Sequence, residues 1–234
     1  MRGTLIYNYV NLADFGVYYD GSQEFAKPAK EVERISIAGR SGDLLIPSNR
    51  WENLPLSFNC YIRENFRGNY DALVSFLNSV EGYARLETSG RPDVYREAAF
   101  VVDITPKTGQ FNRDGRFALQ FDCKPQMWLK SGETPIEVTG SATIYNPTPY
   151  TAKPIIEVAG TGEITVNTTQ ITLTANTSMT TINCDIENAY ENGTNRNGDL
   201  ILNTGDFPVL SPGYNNIALG AGMTAKILPR WWQI

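Results

Sequence analysis

Two stretches decide how this chain is read: Phe207-Pro208-Val209-Leu210-Ser211-Pro212-Gly213-Tyr214-Asn215-Asn216-Ile217, and Pro229-Arg230-Trp231-Trp232-Gln233-Ile234. The first is a strand end, a Pro-Gly turn and a new strand. The second carries two of the chain's four tryptophans. An indole is too much apolar surface for a loose tail, so a closing strand is expected, with one Trp facing inward and the other outward. Working back, residues 135–234 read as all-β. Pro154–Val158, Glu163–Asn167, Gln170–Leu173, Thr180–Asp185, Asp199–Leu202 and Asn216–Leu219 recur at hairpin spacing, punctuated by Gly, Asn and Pro. No helical period is visible, which points to an antiparallel sandwich of two sheets.

Residues 1–130 read as β with one helix. Leu54, Leu56, Phe58, Cys60 and Ile62 alternate along a long strand. Leu73, Val74, Phe76, Leu77 and Val80 form a helical stripe, capped by Asn69 or Asp71 and ended by Gly82. Glu33–Ile37 and Leu44–Ile46 flank Ala38-Gly39-Arg40-Ser41-Gly42-Asp43, a turn in which two glycines make positive φ cheap. Tyr83–Glu87, Ala98–Ile104 and Arg116–Cys123 complete the strands. Threonine rises from 4 occurrences in residues 1–130 to 17 afterwards, and Lys130-Ser131-Gly132-Glu133-Thr134-Pro135 is a polar, turn-rich joint. Two domains are expected, 1–130 and 135–234.

Composition narrows function. The chain has 234 residues, 41% hydrophobic, with no apolar run long enough to span a bilayer as a helix. Its first residues are too short and polar a run for a signal peptide, so a protein made and kept in a cytoplasm until release is expected. There is no histidine. That removes Ser-His-Asp and Cys-His catalysis, the usual catalytic zinc triads and the ordinary general base near neutral pH. Cys60, Cys123 and Cys184 are too scattered for a disulfide framework or a zinc site and read as buried hydrophobes. Residues 1–130 are charge-balanced, 16 basic against 16 acidic, whereas residues 131–234 hold 4 basic and 9 acidic and account for the net −5. Neither half has the basic excess that nucleic acid requires.

Gly39–Asp43 lacks the Gly-Lys-Ser/Thr ending of a phosphate loop. Asp185 and Glu187 would share a strand face, as polar edge residues do, without making a glycosidase pair. Tyr190–Asp199 does not fit calcium-loop spacing and reads as a long hairpin loop. The acceptor-like triplets at Asn167, Asn176 and Asn192 reflect a Thr/Asn-rich sandwich. No catalytic, cofactor or metal residue is assigned. Arg40, Asp43 and Arg50 are candidate oligomer contacts. Tyr190, Trp231 and Trp232 are either packing aromatics or a sugar-stacking platform.

In order along the chain, several segments resemble the distal tail (Dit) proteins of siphophages and related prophages. They are Asp14-Phe15-Gly16-Val17, Arg34–Leu44 with its Gly-Arg-x-Gly hairpin, Arg50-Trp51-Glu52-Asn53 into Cys60-Tyr61-Ile62, Phe121–Gln126, Pro154-Ile155-Ile156, Asp185–Tyr190, Phe207–Gly213 and Pro229–Trp232. The resemblance implies a ring-forming N-terminal β domain followed by a galectin-like β-sandwich. It implies a homo-hexameric ring at the virion tail tip, assembled in the host bacterial cytoplasm. Its implied partners are further copies of itself, the tail tube protein, a tail-associated fibre or lysin protein and a receptor-binding protein, with no nucleic acid and no membrane. About 100 residues in the second domain leave no room for the inserted sugar-binding modules of larger relatives. The alternative from another class is a two-domain carbohydrate-binding adhesin that recognises cell-wall glycans.

Overall fold

The computed structural model describes residues 2–22, 25–175 and 178–234; Asn176 and Thr177 of one acceptor-like triplet lie outside the described residues. The fold is mainly β, with one α-helix among the described residues. The chain forms two compact units, one running through Met127 and including Ile234, the other Trp128–Gln233. The polar segment at the expected joint is a turn of 3-10 helix, Lys130–Glu133.

In the first unit the strands are β1 (Leu5–Tyr7), β2 (Val10–Asn11), β3 (Tyr18–Ser22), β4 (Lys30–Ile35), β5 (Leu44–Trp51) and β6 (Leu54–Ile62). After the helix α1 (Phe66–Ser79) come β7 (Ala84–Thr88), β8 (Val94–Ala99), β9 (Lys107–Thr108) and β10 (Gly115–Leu129). The main sheet runs β2-β1-β7-β8-β10-β6-β3. β6 and β10 pair antiparallel from Ile62↔Gly115 to Leu54↔Cys123, and the alternating apolar side of β6 faces the core. A bridge between Gly3 and Tyr19 brings the two ends of the sheet together. Glycine is required there, because a Cβ on Gly3 would stand 2.3 Å from the Tyr19 ring.

Leu73, Leu77 and Phe66 of α1 are buried against this sheet, together with Leu5, Tyr7, Phe58, Leu119 and Phe121. Tyr7 and Phe121 sit with ring centroids 5.0 Å apart, and Phe58 packs edge-on to Phe121. The helix starts earlier than Asn69 or Asp71 would place it. Asn65 precedes it in a left-handed conformation, without a side-chain cap. The cause is Phe66, which is buried and stacks on Tyr70 at 5.2 Å. Gly115 makes its room, since a Cβ there would lie 2.4 Å from the Phe66 ring. β8 also begins earlier than the apolar run Ala98–Ile104 suggests: Val101 is exposed, and the inward position of the strand is filled by Arg96.

The second unit is a two-sheet sandwich. Its strands are β11 (Ile136–Thr139), β12 (Ser141–Asn146), β13 (Ile155–Ala159), β14 (Gly162–Val166), β15 (Thr169–Leu173), β16 (Thr180–Asn183), β17 (Asn188–Glu191), β18 (Thr194–Asn195), β19 (Leu200–Leu202), β20 (Gly213–Leu219) and β21 (Thr224–Leu228); the short β22 (Trp232–Gln233) lies outside its two sheets. One sheet is β11-β21-β13-β16-β17-β18 and the other β12-β20-β14-β15-β19. Ile144, Ile156, Ile164, Ile171, Ile182, Ile217 and Ile227 belong to the core cluster of this unit.

The Ser-Pro-Gly turn is held by one buried side chain. Asn215 accepts hydrogen bonds from the Ser211 backbone N–H (2.8 Å) and the Asn167 amide (2.8 Å), and donates to the carbonyls of Ser211 (2.8 Å) and Gly213 (3.0 Å). Leucine at this position keeps the volume and loses every one of these bonds. Asn215→Leu is expected to lower unfolding free energy by about 3 kcal/mol or more, since each orphaned buried group costs about 1–3 kcal/mol. Urea unfolding measures this, and a loss under about 1 kcal/mol would show that the clamp is dispensable.

The three cysteines are free and buried. Burial pushes each thiol up from an ordinary 9.0 to about 12. The folded state therefore favours the protonated thiol. Its contribution is fully present below pH 9 and is lost as pH rises towards 12. Burial raises Tyr7 and Tyr70 as well, in the same direction. Stability measured across that window should fall steeply, and replacing all three cysteines by alanine should flatten the fall; an unchanged slope would contradict this origin.

Candidate assembly surface

β4 and β5 form a two-stranded sheet of their own, outside the main sheet. Gly39 (φ 79°) and Gly42 (φ 87°) turn the chain at its tip. Register pairs Ile35 with Leu44, Glu33 with Ile46, Arg34 with Leu45 and Val32 with Pro47. Side chains alternate faces along a strand. One face of the hairpin thus carries Ile35, Leu44 and Ile46 with Glu33, and the opposite face Val32, Leu45 and Pro47 with Arg34. Ile35, Ile37, Leu44, Leu45 and Ile46 are all exposed, Leu45 at 54%. An isolated two-stranded hairpin is marginal in water, and contiguous exposed apolar surface marks an interaction site.

The three candidate contact residues fall on this hairpin. Arg40 and Asp43 sit in the exposed tip. Arg50 lies near the far end of β5, where its guanidinium meets the Glu31 carboxylate at 3.2 Å and Lys30 lies 5.0 Å from the centre of the Trp51 ring. Arg50–Glu31 is a solvent-exposed pair and contributes little to stability by itself. The exposed apolar residues were not singled out in the sequence. Their alternation reads as an ordinary core strand, and nothing local tells a strand that its core is absent.

The C-terminal aromatics belong to the sandwich. Trp231 is 4% exposed and packs in the core of the second unit, while Trp232 is half-buried against it. Trp232 stacks on Tyr150 at 4.4 Å, and its indole N–H donates to the Thr151 carbonyl at 3.0 Å. Tyr150 was not identified from the sequence. Tyr190 lies on β17, opposite Thr181 and Asn195. Gly132 lets the closing segment approach, for a Cβ there would stand 2.4 Å from the Trp231 nitrogen. Asp185 and Glu187 are not on a strand, as the sequence reading had them, but in the turn between β16 and β17, where Glu187 has positive φ. Asp185 is paired with Arg230 at 3.1 Å and Lys153 at 3.8 Å. The 190–199 segment forms a tight Asn192-Gly193 hairpin between β17 and β18 and a 3-10 turn at Asn197–Asp199.

This arrangement, a β unit with one helix followed by a sandwich of two antiparallel sheets, is similar in fold to solved structures of phage adsorption-apparatus and baseplate proteins. One of them is the SPP1 Dit protein (gp 19.1), described as a paradigm of the hub adsorption apparatus in phages infecting Gram-positive bacteria. That protein and this one are 16% identical over 99% of each chain, with a TM-score of 0.76. The phage P2 baseplate in its activated conformation with Ca also matches, at 11% identity over 97% of each chain and a TM-score of 0.57; the form with Sr gives 0.55. No protein-family model matches the chain, and no curated protein matches its sequence.

Proposed function

We propose that this protein is a non-enzymatic structural component of a phage tail tip. Six copies form a ring that joins the tail tube to a tail-associated fibre or lysin protein and serves as the hub of the host-adhesion device, with a receptor-binding protein among its neighbours. It is assembled in the bacterial host and carried at the virion tail tip. The observation that carries this reading is the β4–β5 hairpin. It carries exposed apolar side chains on both faces and has no core of its own, as expected of an arm that is covered on assembly. An arm that docks on the body of the next copy is a heterologous contact, and such contacts close into rings when the rotation between copies allows. Arg40, Asp43 and Arg50 are its polar rim. Electron micrographs and light scattering of the purified protein, alone and with its tube protein, test this. Closed hexamers are expected, and only monomers under both conditions would refute it.

One observation favours the adhesin reading. Tyr145 and Tyr214, opposite each other on β12 and β20, form an exposed ring pair with centroids 5.0 Å apart. Aromatic faces of this kind stack on sugar rings. A monomer that binds cell-wall glycans on an array, and loses binding on Tyr214→Ala, would make that the better account.

A further inference from the structure

The two sheets of the sandwich end in four edge strands, β11 and β18 in one and β12 and β19 in the other. Three of these edges are blunted. β18 is two residues long and β19 three. β11 has four residues, follows Pro135 and carries Glu137. Short strands, prolines and charges are the usual means by which a sheet edge is kept from pairing with another chain. β12 has none of them. Ser141-Ala142-Thr143-Ile144-Tyr145-Asn146 is six residues long, without a charge or a proline, and pairs on one side only, with β20.

Along an antiparallel strand, residues alternate between bonding the neighbour and pointing away from it. The Leu219 N–H donates to the Gly140 carbonyl at 2.7 Å, and the register runs from Ser141↔Ala218 to Asn146↔Gly213. Ala142, Ile144 and Asn146 therefore bond β20, and the backbone groups of Ser141, Thr143 and Tyr145 point off the edge. The other side of β20 agrees, since the Asn216 carbonyl accepts from the Asn167 N–H at 2.8 Å. No hydrogen bond among the described residues reaches those outward backbone groups, and all three residues are exposed. Beside them Tyr145 and Tyr214 stand out from the outer face, 56% and 77% exposed.

We propose that this edge pairs with the same edge of a second copy of the chain, antiparallel and about a two-fold axis at Thr143. That register uses all three outward residues: Thr143 faces Thr143 of the second copy, and Ser141 of each copy faces Tyr145 of the other. Each outward N–H then donates to an outward carbonyl. Thr opposite Thr is a favourable cross-strand pair, Tyr145 lies beside the small Ser141, and no like charges meet. On the inner face Ala142 lies opposite Ile144, so the apolar sides of the two sheets continue into each other. Left-handed Gly140 before the strand (φ 75°) and Pro147 after it, which has no N–H, bound the ladder at its ends. A strand that pairs with its own copy makes an isologous contact, closed at two subunits. The pairing does not rest on the ring reading, because it joins two monomers or two rings equally.

The test uses the full chain. Thr143→Cys places two thiols across the axis with Cα atoms about 5.5 Å apart, within the reach of a disulfide. Mild oxidation should give a covalent dimer on a non-reducing gel. Ser141→Cys and Tyr145→Cys should not, because the same register sets each of these residues four positions, about 13 Å, from its own copy. The native cysteines are buried and free, so the parent is the blank. Thr143→Pro leaves the β12–β20 ladder intact, since that N–H points off the edge, and removes the donor at the axis. Thr143→Lys brings two like charges together there. Both variants should keep the circular dichroism of the parent and halve the particle mass in sedimentation, whatever the size of the parent particle. No cross-link from Thr143→Cys, as when a different chain takes the edge, would overturn the pairing. So would equal cross-linking at all three positions, or an unchanged mass in both the Pro and Lys variants.

Discussion

Replacing Leu44, Leu45 and Ile46 together with serine is expected to dissolve the proposed ring into monomers while both units stay folded. All three side chains are exposed in the single chain, so their loss should cost the fold less than about 1 kcal/mol. In the proposed ring they are covered. Burying a Leu or Ile side chain is worth about 1.5–3 kcal/mol, so three of them contribute roughly 5–9 kcal/mol at each subunit contact. Losing that much weakens each contact by at least about a thousandfold. Sedimentation separates the two outcomes: an intact ring in the triple variant would rule out the hairpin as the assembling arm. A ring that dissolves because the protein has unfolded would show as a lowered melting temperature, which the variant should not have.

The largest effect on stability is expected from Trp231→Ala. Its indole is buried in the sandwich core, and truncating a buried Trp costs about 3–5 kcal/mol against a typical domain stability of about 5–15 kcal/mol. Trp232→Ala should cost less. It removes the stack on Tyr150 and one hydrogen bond to the Thr151 carbonyl, together about 1–3 kcal/mol, from a residue already half in water. Limited proteolysis of the double variant should remove residues beyond about 128 and leave a fragment of the first unit. If the variant resists protease as the parent does, the indoles are not what holds the sandwich together.

Much of this architecture was legible in the sequence, for identifiable reasons. β6 was read residue for residue, because one face is core and the other solvent, and the alternation is unbroken. The sandwich strands β13, β14 and β15 follow the same rule to within a residue. What failed was legibility wherever an inward position is not apolar or an apolar position is not inward. Arg96 occupies a core position of β8 and breaks its pattern, so the apolar run after it drew the reading downstream. Pro125 ended the reading of β10 at Cys123, although the strand continues to Leu129. The hairpin was visible through its two glycines, but the exposure of its leucines and isoleucines was not, since exposure is a property of what lies beside a strand. Trp231 is inward, as its size demands, but Trp232, expected to face outward, is half-buried against the same core. The identity of its stacking partner, Tyr150, depends on a fold-back of about 80 residues that no local signal encodes.

The pairing of β11 with β21 sets a clock. Ile136 lies opposite Ile227, and Leu129 donates its N–H to the Trp231 carbonyl, so the beginning of the sandwich is completed by strands made roughly 90 residues later. At about 5–20 residues per second, a ribosome takes on the order of 5–20 s to deliver them. For that interval Val138 and the edge of β13 that β21 will occupy have no strand partner, while the β6–β10 ladder of the first unit, which needs nothing beyond Cys123, can already close. A nascent chain therefore passes through a period in which the main sheet of the first unit is paired while the sandwich is still open. A synonymous codon change that slows translation between residues 140 and 220 lengthens that period, with aggregation of the second unit as its cost.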